Sequence, residues 1–143
     1  WRKIDSDFRL ITARRNPNMV ILFFATLVGR PDTGLVLMGF SQGAMTALHV
    51  GLSLPKPLLG IIAVAGAFLP AEDFESAGYA KPPVCLVHGD RDDVVEPRFS
   101  RDAADQLKAA GVPVQYQVSP GGGHGISPDG LEFAIQFIRG LNT

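Results

Sequence analysis

Leu35-Val-Leu-Met-Gly39-Phe-Ser41-Gln-Gly43-Ala-Met-Thr-Ala-Leu-His-Val50 is the stretch whose reading decides the fold. It begins as an apolar run of strand type, breaks at Gly39 and resumes at Gln42 with residues that favour a helix. One serine sits between two glycines, so Gly39-Phe40-Ser41-Gln42-Gly43 is a G-x-S-x-G pattern. In a strand-to-helix turn of this kind the serine is held in a strained backbone conformation that lifts its hydroxyl clear of the sheet. Side chains two residues to either side would collide with the adjoining strand or helix, so glycine suits both places. The helix that follows offers N–H groups without intrahelical partners, and a partial positive charge, beneath the reacting atoms. The pentapeptide alone also fits an ordinary turn. The strand before it, the helix after it and suitable partners downstream give it weight.

Downstream of Gly34 the pattern alternates. Strands are predicted at Leu35–Met38, Leu59–Ala65, Pro83–His88 and Val112–Val118, all apolar or alternating. Helices are predicted from Gln42 to Leu54, stopped by Pro55 and Pro57, from Pro97 to Ala110, and from Ser127 to Leu141. Phe99, Ala103, Leu107 and Ala110 fall on one face of the second helix, and Leu131, Ala134, Ile135 and Ile138 on one face of the third. Ser127 is placed as N-cap of the third helix, with Pro128 as its first residue. Residues 68–81 read as irregular, with one helical turn after Pro70. Apolar strands separated by helices imply a mostly parallel sheet covered on both faces, one α/β domain over residues 1–143. In such sheets the reactive site lies beyond the carboxyl ends of the strands.

Three loops meet that condition. Ser41 follows the first of these strands, His88-Gly-Asp90-Arg-Asp92-Asp93-Val-Val95 ends the third, and Ser119-Pro-Gly-Gly-Gly-His124-Gly-Ile-Ser-Pro128 follows the fourth. The order serine, acid, histidine is the chain order of α/β-hydrolases. A serine becomes a nucleophile when a neighbouring base takes its proton, and histidine titrates near neutrality. A carboxylate then fixes the histidine tautomer and stabilises the imidazolium. His124 is the candidate base, because Gly121, Gly122, Gly123 and Gly125 let the backbone turn sharply towards the serine. His49 is read as a packing or solvent-facing residue of the first helix, and His88 as a residue that hydrogen-bonds within its loop. Asp90, Asp92 and Asp93 are all candidates for the acid, and spacing does not choose among them.

These motifs resemble the phospholipase/carboxylesterase family of α/β-hydrolases, which contains acyl-protein thioesterases and small bacterial carboxylesterases. The matching pieces are Gly39-Phe-Ser-Gln-Gly-Ala44, the H-G-x-x-D-x-V-V pattern His88–Val95, and Gly123-His-Gly-Ile-Ser-Pro128. Ala65-Gly-Ala-Phe68-Leu69-Pro70 resembles the family loop after the next strand, with Ala65 where the family usually has serine. The resemblance spans roughly residues 34–141. It implies Ser41 as nucleophile, Asp92 as acid and His124 as base, with Asp93 a secondary candidate because it replaces the proline common after the acid. It implies one oxyanion donor at the backbone N–H of Gln42, and no cofactor. Phe40, Phe68 and Leu69 are candidates to line an acyl pocket; the alternative is that they are core.

Upstream the resemblance weakens. Family members carry further strands before the elbow and a glycine-containing H-G-x-G loop that supplies the first oxyanion donor, and residues 1–33 contain no such loop. Losing one such donor typically costs about 10²–10³ in turnover. Met19–Val28 is apolar on all sides and is read as a helix, because only Gly29–Gly34 separates it from the elbow strand; an antiparallel strand pair is the alternative. Residues 1–18 show no clear period, and Asn16-Pro17-Asn18 is a turn signal. N-terminal strands are thus expected to be missing or atypical. Either residues 1–33 rebuild the edge of the elbow strand, or another chain covers it, as in a homo-oligomer formed through an uncovered edge, or this is only part of an enzyme.

Composition sets further bounds. A length of 143 residues suffices for one core, and 46% hydrophobic with 19% charged residues reads as globular. A formal net charge of -1 gives no electrostatic case for nucleic acid or an anionic membrane. The longest apolar run is about half of a membrane span. The three histidines are dispersed, with no metal-ligand spacing. The single cysteine, Cys85, is predicted to be a buried strand residue, which fits a reducing, cytoplasmic compartment. The chain begins at Trp1 without a recognisable signal peptide, which reads as a fragment, a processed product or a displaced start.

The functional expectation is a carboxylesterase acting on short- to medium-chain soluble esters, since no large lid fits after Gly34. Two rivals stand beside it. One is an acyl-protein thioesterase or lysophospholipase of the same family. The other is a non-catalytic truncated remnant that serves as a binding or interaction module.

Overall fold

Three short apolar runs and one alternating run pair side by side to make the parallel part of the sheet, β3 (Val36–Phe40), β4 (Gly60–Val64), β5 (Val84–Gly89) and, alternating, β6 (Val114–Ser119). The computed structural model describes residues 8–16, 19–26, 34–70, 72, 74 and 78–141. Every residue of β4 and β5 is buried, as expected for strands covered on both faces. Alternate side chains go to opposite layers. Ile61, Ala63, Val84 and Leu86 pack with α1 (Gln42–Leu52) and α2 (Arg98–Ala109). Val36, Ile62, Val64, Cys85 and Val87 pack instead with α3 (Pro128–Gly140). The α/β organisation expected of residues 34–141 is therefore present.

The upstream part differs from the expectation. Met19–Thr26 is a strand, β2, antiparallel to β3 in a register that runs from Phe23 opposite Gly39 to Thr26 opposite Val36. A second strand, β1 (Phe8–Asn16), pairs antiparallel with β2, with a register shift between Arg14 and Asn16. The sheet order is thus β1-β2-β3-β4-β5-β6. A run that is apolar all round satisfies either a helix or a strand, and here the row of unpaired backbone groups along β3 decides for the strand. The edge of β3 is occupied by β2, which is the alternative in which residues 1–33 rebuild it. Pro17 and Asn18 of the first expected turn, Leu27 and Val28 at the end of the expected helix, and residues 29–33 of the second turn lie outside the described residues.

Two helix faces also turn out rotated. On α2 the buried residues are Ser100, Ala103, Ala104 and Leu107, whereas Phe99 is 40% exposed with the Arg98 guanidinium 5.1 Å from its ring centroid. On α3 the buried residues are Gly130, Ala134 and Phe137, and Leu131 is 48% exposed. The cause on α3 is the close approach of Gly130 to β5, where an added Cβ would lie 2.6 Å from Val87 Cγ1. That contact turns the face one residue before Leu131 towards the sheet. Ser127 caps α3 as predicted, accepting a hydrogen bond from the Gly130 amide at 3.2 Å. Among the described residues no helix is long and apolar enough to cross a membrane.

Candidate active site

β3 ends one residue before Ser41, and α1 begins one residue after it. Ser41 has φ 55 and ψ -121, a region that non-glycine residues seldom occupy and that costs of order 1–3 kcal/mol. Hydrogen bonds hold it there. The Ser41 amide donates to the Val64 carbonyl at 2.8 Å, and the Ser41 carbonyl accepts from Ala44 and Met45 at 3.0 and 3.2 Å. The turn closes because residue 39 has no side chain. A Cβ there would run into the Gly43 carbonyl and come within 2.6 Å of the Ala44 nitrogen. Gln42, as the first residue of α1, has a backbone N–H with no intrahelical acceptor.

His124 arrives on the loop from β6 to α3, which is tied back at several points. Gly122 donates to the Ser119 carbonyl at 3.1 Å, its own carbonyl accepts from the Arg91 amide at 2.8 Å, and Ser127 Oγ donates to Ser119 Oγ at 2.8 Å. Asp90 Oδ1 accepts from the Gly121 amide at 2.6 Å. The loop lies directly on the end of β5, since a Cβ on Gly89 would strike the Gly122 carbonyl.

These loops bring Ser41, Asp92 and His124 together. His124 Nδ1 donates to Asp92 Oδ2 at 2.8 Å, which leaves Nε2 to accept from Ser41 Oγ at 3.0 Å. Asp92 is 6% exposed, and its Oδ1 accepts from the Val94 and Val95 amides, each at 2.9 Å. Burial alone would raise the Asp92 carboxyl. The hydrogen bonds from His124, Val95 and Val94, with the charge of His124, outweigh it and hold the group below the ordinary aspartate value. Of the three candidate acids, Asp93 is exposed and Asp90 is engaged with Gly121, so neither meets His124.

The candidate lining residues separate. The Phe40 ring stands with its centroid 4.9 Å from that of His124. Leu69 is 62% exposed and lines a cleft of about 390 Å³ with Gln42, Met45, Thr46, His49 and Pro70. His49 Nδ1 donates to the Leu69 carbonyl at 3.1 Å. Phe68 is 6% exposed and packs edge-on to Phe74 in the core.

His88, expected to hydrogen-bond within its loop, does so, and its further link to Ser100 is what sequence reasoning passed over. Wholly buried His88 contacts Asp92 Oδ2 through Nε2 at 3.0 Å and the Val95 carbonyl at 2.8 Å. Its Nδ1 lies 2.6 Å from Ser100 Oγ, which donates to the Gly66 carbonyl at 3.0 Å. A polar Ser100 one turn before Ala103 and Ala104 was the available signal, because a serine on the buried face of a helix needs a partner.

The Phospholipase/Carboxylesterase family model matches residues 22–142. Acyl-protein thioesterase 1 of Gibberella zeae is 33% identical over 112 residues, 73% of this chain and 47% of that protein. Acyl-protein thioesterase 1 homolog 1 of Dictyostelium discoideum is 31% identical over 110 residues, 76% of this chain and 49% of its own. Among crystal structures, esterase PE8 superposes with a TM-score of 0.71 at 46% identity, covering 75% of this chain and 50% of that one. Zea mays acyl-protein thioesterase 2 gives 0.69 at 25% identity, covering 78% and 58%. The chain spans about half the length of the curated relatives it matches. With an α/β sheet, a serine elbow and a match that reaches from β2 to the end of α3, the chain belongs to the phospholipase/carboxylesterase family of α/β-hydrolases.

Proposed function

We propose that this chain carries the catalytic triad of a carboxylesterase, with Ser41 as nucleophile, His124 as base and Asp92 as the acid that orients it. The observation that carries the reading is the unbroken relay from Ser41 Oγ through both nitrogens of His124 to Asp92, at 3.0 and 2.8 Å. Ser41 Oγ attacks the acyl carbonyl while His124 Nε2 takes its proton. The Gln42 N–H and the N-terminus of α1 face the charge that develops on the carbonyl oxygen. His124 then protonates the leaving alcohol, and water, activated by His124, releases the acyl group from Ser41. Asp92, kept ionised, stabilises the imidazolium in both halves.

The cleft that starts at Gln42 suits the acyl chain, with Leu69 and Met45 along it and Phe68 backing Leu69 from the core. A volume of about 390 Å³ is at the small end for ligand pockets, which favours short to medium chains. Phe40, against His124, is placed to meet the leaving group. Among the relatives, the names acyl-protein thioesterase 1 and 2 favour a second reading, in which the same triad cleaves a thioester. Matched acyl esters and acyl thioesters, compared by kcat/KM, separate the two.

Mass spectrometry after treatment with a fluorophosphonate is the test of the triad. One adduct on Ser41 is expected in the wild-type chain and none in Ser41→Ala, which should fold normally and lose turnover by about 10⁶-fold. An unlabelled wild-type Ser41, or ester hydrolysis retained by Ser41→Ala, would leave the binding-module reading in its place.

A further inference from the structure

Asp92 accepts four hydrogen bonds, from the Val94 and Val95 amides, from His124 and from His88. The triad accounts for His124 alone among the two histidines. His88 is as buried as the carboxylate it touches, both side chains being 0% exposed.

The donors and acceptors around the His88 ring bear on its state. The Gly66 carbonyl can only accept, so the single proton of Ser100 Oγ goes to it. Ser100 then has only lone pairs to offer His88 Nδ1 at 2.6 Å, and Nδ1 must donate. The Val95 carbonyl and the Asp92 carboxylate also can only accept, so Nε2 donates as well, its one proton shared between them at 2.8 and 3.0 Å. The other arrangement, with Ser100 donating to Nδ1, sets oxygen lone pairs against each other across 3.0 Å in a buried place. A buried ion pair persists where its remaining protons and lone pairs are all satisfied, and here they are.

We propose that His88 is a positioning residue that carries a proton on both ring nitrogens and forms a second clamp on the Asp92 oxygen used by His124. The clamp reaches the floor of the elbow. Gly66, at the far end of the Ser100 link, packs so close to α1 that an added Cβ would lie 2.6 Å from Ala44 Cβ and 3.4 Å from the Ser41 carbonyl oxygen. Acid and nucleophile are thus tied together beneath the sheet's end as well as through His124. The effect on turnover rests on the triad proposed above; the proton count does not.

The test is nitrogen NMR of the chain labelled in its three histidines at neutral pH, with the His88 signals identified by their loss in His88→Gln. Two one-bond N–H couplings from His88 are expected, and a single coupling at Nε2 overturns the proposal. His88→Gln keeps an amide donor near Asp92 but no charge. Its kcat per fluorophosphonate-titrated site should fall about 10- to 100-fold with KM unchanged within about twofold. The His124 Nδ1 proton, bonded to Asp92, should shift in the same variant. An unchanged kcat per titrated site with an unmoved His124 proton overturns the positioning role. Where His88→Gln fails to fold, Ser100→Ala takes its place, and an unmoved His124 proton there overturns the role equally. If the wild-type chain turns over no ester, the proposed function fails while both NMR readings still decide the clamp.

Discussion

Two strand-to-helix connections meet at this site, and they hold their side chains by different means. Between β3 and α1 a single residue makes the turn, and backbone geometry holds Ser41, with φ 55 at the serine and no room for a Cβ at Gly39. Between β6 and α3 eight residues, 120–127, make the connection, and hydrogen bonds from neighbouring loops hold His124. The proposed nucleophile is therefore set by a strained turn that steric fit at Gly39 and backbone hydrogen bonds lock together. The proposed base is set by a sum of side-chain and loop contacts, each of which can be removed singly.

Substitutions can break or sharpen this contrast. After Ser41→Ala, Asp92→Asn should have the next largest effect, about 10⁴-fold in kcat, because the amide favours the wrong tautomer of His124. The same variant reports on stability. With its carboxyl held low in the folded chain, Asp92 stabilises the fold at pH above its unfolded value of about 3.9, and that contribution fades as pH falls through the lower folded value. Urea midpoints measured from neutral pH to pH 2 should therefore fall less steeply for Asp92→Asn than for the wild type.

Gly39→Ala should come next, costing about 3 kcal/mol or more in thermal or urea unfolding, since the added carbon meets backbone rather than a movable side chain. A wild-type midpoint would mean that the elbow is not held by its geometry. Asp90→Ala, which frees one amide of the histidine loop, should cost only about 1 kcal/mol and lower kcat several-fold, with Asp93→Asn as the silent control. Equal effects of these two on kcat would remove the distinction between a tied loop and a merely acidic one.

The elbow is legible in sequence because its pattern, its strand and its helix agree, and the chain order points to the loops of the proposed acid and base. The identity of the acid is not legible from spacing, since Asp90, Asp92 and Asp93 differ only in which of them faces inward. Met19–Val28 reads as a helix, with a strand pair as the alternative, and Met19–Thr26 folds as a strand, because hydrophobicity without period does not separate the two. What decides it is the pairing with β3, which the run itself does not contain. The helix faces differ from expectation for a related reason. Phe99 and Leu131 look like core by type, but Ser100 and Gly130 win the inward places through a buried hydrogen bond and a close backbone approach that hydrophobic patterns do not record.

The one cysteine has a use that follows from its place. Cys85 sits at 0% exposure in β5, with burial pushing its thiol up to about 12. A thiolate-seeking reagent meets it only after the layer formed by α3 comes away from the sheet. The rate of alkylation is therefore a clock for the opening of that layer, built into the chain and requiring no probe. It runs independently of any reagent aimed at Ser41, so the same sample can report how often the fold opens and whether its serine is ready.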